Sequence, residues 1–130
     1  MPADHKKADV PASFTLKIGG AESAAVFQLA TGVEANKAMG NTKWSDIELK
    51  RGVATDTSLW NWRKLVIDGK LEAARKDCTL TMLDSAGQAV ETYSLINAWP
   101  KQYTAVELKA DSNEVAVEGI TLCHEGFEIQ

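Results

Sequence analysis

A chain of 130 residues is one domain by the usual size prior and buries about two-thirds of its unfolded surface, enough for a core without disulfides or metal. The 14 basic and 18 acidic side chains leave a formal net charge of -4, which argues against a nucleic-acid binder and its basic patch. The opening Met1-Pro2-Ala3-Asp4-His5-Lys6-Lys7 has no apolar run behind its charges, and no apolar run in the chain is long enough to cross a bilayer. The chain is therefore expected to accumulate in the cytoplasm of its producer with no membrane insertion of its own.

Residues 1–12 are polar, carry two prolines and are expected to form a flexible tail ahead of a single domain over 13–130. Ser13 to Ile18 alternates polar and apolar, the mark of a half-buried strand, and Gly19-Gly20 ends it. A second strand is expected from Ala24 to Leu29. Val33 to Thr42, bracketed by glycines and Asn41, reads as a loop or hairpin tip. Trp44 to Arg51 alternates again, with Ile47 and Leu49 on one face and Asp46, Glu48 and Lys50 on the other.

The helix is the clearest local signal. Asp56, Thr57 and Ser58 offer N-cap oxygens, Leu59, Trp62 and Val66 follow at helical spacing, and Asp68-Gly69 supplies the C-terminal stop. Trp60 and Trp62 on such a pattern are read as core anchors before ligand-stacking platforms. Leu71 to Lys76 fits a short helical turn or a loop. Cys78 to Leu83 and Ala89 to Ile96 are expected to pair as a hairpin through Asp84-Ser85-Ala86-Gly87. Thr104 to Lys109 reads as a further strand, Asp111-Ser112-Asn113 as a turn, and Glu114 to His124 as a long final strand.

Catalytic and metal-binding patterns are missing. His5 lies in the tail, and His124 has no second histidine at ligand spacing, so a hydrogen-bonded structural role is the expectation for it. No phosphate-binding glycine loop occurs, and no cofactor is expected. Lys50-Arg51 and Arg63-Lys64 are isolated basic pairs, read as surface or interface charges with no sequence-specific nucleic-acid recognition. Cys78 and Cys123 each sit in a strand-like run, where free cysteine behaves as a small buried hydrophobe.

Five motifs stand in a fixed order: Trp44-Ser45-Asp46-Ile47-Glu48-Leu49-Lys50-Arg51-Gly52, Leu59-Trp60-Asn61-Trp62, Asn97-Ala98-Trp99-Pro100-Lys101-Gln102-Tyr103, Asn113-Glu114-Val115-Ala116-Val117-Glu118 and His124-Glu125-Gly126. Together they closely resemble the tail tube family of contractile phage tails and extracellular contractile injection systems, from Trp44 to Glu128. The resemblance implies a mainly β fold, a two-sheet barrel or sandwich with one packed helix, also used by the tube protein of type VI secretion. It implies a non-enzymatic subunit whose hexameric rings stack into a hollow tube inside a contractile sheath, seated on a baseplate with its spike and tube-initiator proteins, with room for cargo in the lumen. The tube is propelled through a target envelope when the sheath contracts. Gly32 to Lys43 is shorter than the extended hairpin of such relatives, which implies altered ring-to-ring packing or a specialised subunit.

On this reading Trp44, Glu48, Lys50, Arg51, Lys101, Tyr103 and Glu118 are candidates for contacts between subunits, and Leu59, Trp62, Val66 and Trp99 are core anchors. Exposed sheet edges in so small a strand-rich domain favour assembly independently, because closing a ring of identical copies pairs them. Two alternatives stay open: a tube-initiating or baseplate-adaptor subunit of the same machine, and, in a different class, a monomeric small β-barrel that binds an apolar ligand.

Overall fold

A computed structural model describes residues 13–20, 24–37, 43–52, 57–108 and 115–130. Among these residues the order is β1 (Ser13–Ile18), β2 (Ala25–Phe27), β3 (Leu29–Thr31), α1 (Val33–Lys37), β4 (Ile47–Gly52), α2 (Ser58–Ile67), α3 (Leu71–Ala74), β5 (Lys76–Leu83), β6 (Ala89–Leu108), β7 (Val115–Cys123) and β8 (Gly126–Ile129). All pairings are antiparallel, in the order β2-β1-β5-β6-β7-β4-β3, with β8 also on β6.

β6 organises the molecule. Its first half pairs with β5 on one side and β8 on the other; from Trp99 onward it pairs with β7 alone. Asn97, with φ 49°, sits at the corner between the two halves, and the register slips between Pro100 and Gln102. The chain after β7 bends at the same place: the Glu125 amide donates to the Ile96 carbonyl at 2.8 Å, and β8 continues along β6 on the other sheet. One sheet is therefore β2-β1-β5-β6-β8 and the other β6-β7-β4-β3. Sequence reading gave an Ala89–Ile96 strand and a separate Thr104–Lys109 strand; the observed element is one bent strand of 20 residues. It also ended the fold on the β7 strand and so omitted β8.

β2 hands over to β3 across Gln28, whose amide donates to the Lys50 carbonyl at 2.9 Å. The segment read as one Ala24–Leu29 strand thus lies first along β1 and then along β4, joining the outer edges of both sheets. The result is a two-sheet sandwich, not a closed barrel. Leu16, Phe27, Ile47, Leu49, Leu80, Tyr93, Leu95, Ile120 and Leu122 fill the space between the sheets.

Part of the stretch read as a loop from Val33 to Thr42 is helix α1. A five-residue helix has no usable periodicity, and its stability is tertiary. The Asn36 side chain donates to the carbonyls of Gly32 and Ser45 at 2.8 and 2.9 Å and accepts from the Ser45 amide at 2.8 Å. Gly32 allows that approach: its φ is 95°, and a Cβ there would fall 2.1 Å from the Asp46 carbonyl oxygen.

α2 packs against the second half of β6. Leu59 and Trp62 are buried, Leu65 and Val66 half-buried, and the Trp62 Nε1 donates to the Ala74 carbonyl of α3 at 2.6 Å. Thr57 takes the N-cap position without a side-chain cap bond; its hydroxyl accepts from Asn61 Nδ2 at 3.2 Å instead. Gly69, φ 82°, ends the helix as expected, its amide reaching the Val66 carbonyl at 3.0 Å. Asp84 caps the β5–β6 turn by accepting from the Ala86 and Gln88 amides, both at 2.9 Å. The tail over 1–12, the Asp56 cap and the Asp111-Ser112-Asn113 turn lie outside the described residues.

Candidate functional site

Strand alternation divides the residues of β4. Ile47, Leu49 and Arg51 point into the sandwich and are buried, while Glu48 and Lys50 point outward. Register extends these rows across the sheet: Glu48 stands opposite Thr121 and Lys50 opposite Gly119 on β7, and β6 adds Gln102 and Thr104 beside the same two residues. β3 adds Leu29 and Thr31. The outward face of this sheet is thus mostly polar, and its two charges balance, with the Lys50 Nζ 4.0 Å from Glu48 Oε2.

Arg51 is not a surface charge. Its Nε donates to Glu118 Oε1 at 2.7 Å, directly across from it on β7, and both side chains are buried. The guanidinium lies 5.5 Å from the centre of the Phe27 ring. The Tyr103 hydroxyl donates to the other Glu118 oxygen, so one carboxylate is held from two strands. Burial and then the neighbouring Glu118 push the Tyr103 phenol up to about 12. Tyr103 in turn packs against Trp60 of α2, with ring centres 5.5 Å apart. Sequence reading placed Lys50 and Arg51 together as a basic pair; the period of two separates them.

A second group gathers where the sheets meet. Lys101 on β6 donates to Asp46 Oδ2 at 2.7 Å, and this hydrogen bond, with the charge of Asp46, raises the lysine pKa. The Cys123 thiol donates to the other Asp46 oxygen at 3.6 Å; burial first and Asp46 second push that thiol up. Cys78, enclosed in the core, is pushed up to about 12 by burial. Both cysteines are free and neither sits in a setting that favours a thiolate.

Trp44, just before β4, is 44% exposed and rests on His124 with ring centres 5.7 Å apart. The two imidazole nitrogens each lie 3.0 Å from a backbone carbonyl oxygen, Nδ1 from Gly126 and Nε2 from Ser45. His124 is thereby committed to backbone contacts, as expected of a structural histidine. Trp99 is half-buried at the rim of the core, as is Val66, while Leu59 and Trp62 lie fully within it.

The structure therefore brings Trp44 and Lys101 to the sheet corner, Glu48 and Lys50 to the outward polar face, and Arg51, Tyr103 and Glu118 to one inward cluster. Asp46 carried no local sequence signal for its role because its partners Lys101 and Cys123 are remote in sequence, and Asn36 because its bonds to Gly32 and Ser45 follow no regular spacing. Among the described residues no group of three His, Cys, Asp or Glu side chains could hold a metal ion. No described helix is long and apolar enough to cross a membrane.

Residues 12–128 match the family model described as T4-like virus tail tube protein gp19. Among solved structures the chain is similar to one from the PVC sheath-tube complex of an extracellular contractile injection system in its extended state, at 23% identity and TM-score 0.66, covering 98% of this chain and 96% of that one. It is similar to a chain of the anti-feeding prophage cap, the AFP tube terminating cap, at 23% identity and TM-score 0.63, covering 92% and 88%. Hcp1 from Flavobacterium johnsoniae shares the fold at 12% identity and TM-score 0.59, covering 90% and 94%. Comparison with curated protein sequences gives no match.

Proposed function

The chain belongs to the T4-like virus tail tube protein family and is a structural tube subunit of a contractile injection apparatus; from that premise we propose how it assembles and with what. Six copies close into a ring, and rings stack into a hollow tube. The observation that carries this reading is the pair of open edges on the β6-β7-β4-β3 sheet. Beyond Ala98 the side of β6 that carried β5 has no strand partner among the described residues, and β3 is bonded to β4 alone. Joining the β6 edge of one copy to the β3 edge of the next removes both, and repetition of one head-to-tail contact closes a ring.

In that ring the outward row of Glu48, Lys50, Gln102, Thr104 and Thr121 faces a water-filled lumen that carries the cargo. Trp44 and Lys101 lie toward the neighbouring subunit, and Arg51, Glu118 and Tyr103 act from beneath by bracing the sheet that carries them. The tube is surrounded by a contractile sheath, seated on a baseplate and spike, assembled in the bacterial cytoplasm and without catalytic activity. Negative-stain electron microscopy and sedimentation of the purified chain test this: six-fold rings or tubes support it, and a strict monomer even beside its own sheath and baseplate proteins overturns it. A tube-initiating or baseplate-adaptor subunit gives rings that do not elongate, so tubes several rings long exclude that alternative.

A further inference from the structure

One row of side chains runs across the β6-β7-β4-β3 sheet on its inward face: Tyr103 on β6, Ile120 on β7, Leu49 on β4 and Ala30 on β3. Its two ends lie at the two open edges, and they are built differently. At the β6 end α2 rests on the strand, and Trp60 sits on Tyr103 with ring centres 5.5 Å apart. Trp60 is 39% exposed, although Trp62 two positions on is buried. Lys64 and Ile67 follow Trp60 four and seven positions along the helix, and both are exposed. α2 thus turns Leu59, Trp62 and Val66 to the core and a second stripe, with two large apolar side chains, to the outside.

At the β3 end the row runs into a cavity. Ala30 lines it together with Phe14 of β1, Met82 of β5 and Val33, Glu34 and Ala35 of α1. Its volume is about 300 Å³, roughly the share of ten water molecules in the liquid, so a tryptophan side chain has room there. The wall is mostly apolar, and among the described residues Glu34 alone brings a charge to it. α2 carries the opposite sign beside Trp60, in Arg63 and Lys64. Arg63 donates to the Pro100 carbonyl at 3.2 Å, a neutral partner that does not cancel its charge.

Trp60 and the cavity therefore stand at the same level of the sheet, on the same face, at opposite edges. Where the β6 edge of one copy meets the β3 edge of the next, the Tyr103 end of one row abuts the Ala30 end of the other. The exposed tryptophan then comes to the cavity mouth. We propose that Trp60 of each copy inserts into the cavity of the neighbouring copy, between Phe14, Ala30, Val33 and Met82, with Arg63 and Lys64 against Glu34 at the rim. The occupant is a second copy of this chain. The inference rests on the ring reading above and deepens it. A joint made of strand edges alone can slip in register, whereas an aromatic side chain seated in a pocket permits one alignment.

Two variants block opposite sides of the joint. Trp60→Ala removes the inserted side chain; Ala35→Trp fills the cavity from α1 and leaves Trp60 in place. Both positions are exposed, so circular dichroism and urea denaturation should show folded chains. Sedimentation over a concentration series reads assembly. Each variant alone is expected to need at least about thirtyfold more protein than wild type to form rings, the loss that follows truncation of a central interface aromatic. An equal mixture has one intact joint per pair, between Trp60 of the Ala35→Trp copy and the open cavity of the Trp60→Ala copy. It is expected to give dimers that do not grow. Rings formed by Trp60→Ala at wild-type concentrations overturn the proposal and leave the ring reading intact. A mixture that stays monomeric overturns the pairing of this side chain with this cavity. If Trp60→Ala fails to fold, Ala35→Trp decides alone, and its assembly at wild-type concentrations overturns the proposal. Wild type that remains monomeric throughout overturns the ring reading, and this contact falls with it.

Discussion

Arg51 on β4 and Glu118 on β7 face each other across the sheet with Nε 2.7 Å from Oε1, both enclosed by the sandwich and the carboxylate shared with Tyr103. A buried pair of this kind costs little to replace as a unit and a great deal to break. Glu118→Leu or Arg51→Met alone should destabilise the fold by about 3–5 kcal/mol, because each removes the oppositely charged partner of a buried charge. The double variant should recover much of that loss. Urea denaturation of the three variants measures it, and equal, additive losses would show that the two charges do not depend on each other.

Lys50 and Arg51 should part company in mutagenesis. Lys50→Glu alters an exposed side chain that lies over Gly119 and pairs weakly with Glu48, so folding should change by no more than about 0.5 kcal/mol. Arg51→Glu places two carboxylates in the core and should prevent folding. Circular dichroism reads the fold and electron microscopy reads assembly on the same samples; because Lys50 faces the lumen of the proposed ring, the expected pattern for Lys50→Glu is a normal fold with normal tubes. Impaired tubes would place Lys50 at a contact between copies instead.

Trp62 anchors α2 in two ways, by packing and by its bond to the Ala74 carbonyl. Trp62→Ala should cost about 3–5 kcal/mol. Trp62→Phe keeps most of the packing but strands the carbonyl, and should cost about 1–3 kcal/mol. An unchanged denaturation midpoint for either would mean that the helix presents a different face.

Alkaline stability should track Tyr103. Burial and Glu118 raise its phenol to about 12 in the folded chain, above the unfolded value of about 10. The folded state then holds the proton more tightly, so this contribution is fully present below about pH 10 and is lost as the pH rises through 12. Tyr103→Phe should flatten that part of the stability curve, leaving the loss due to Tyr93, which burial also raises. Phenolate absorbance followed against folding tests the order of events.

Much of this fold was legible where a local rule was strong. Ser13 to Ile18 showed its period of two, Asp84 to Gly87 its turn chemistry, and Leu59 to Gly69 its helical stripe and stop. What escaped depended on tertiary contacts without a local pattern. The run from Asn97 to Tyr103 was assigned to neither flanking strand because the corner it makes exists only with β5, β7 and β8 in place. α1 depends on one asparagine side chain reaching Ser45. Arg51 looked like half of a basic pair because a buried charge is improbable until its partner, 67 positions away, is known. The motif order pointed to the family, yet only the register revealed which motif residues face inward.

The strand shared by both sheets also has a mechanical consequence. β6 and the β7–β8 run cross the corner side by side, so each sheet is stitched to the other by covalent backbone as well as by apolar contact. A load that drags one sheet past the other cannot be relieved by sliding side chains over one another. It must stretch peptide bonds or shear many ladder hydrogen bonds at once, and bonds loaded together resist far more than bonds opened one by one. The subunit is therefore built as a stiff bracket, whose first point of yield under force lies at its short outer strands, β2 and β3, and not at the corner that holds its two halves together.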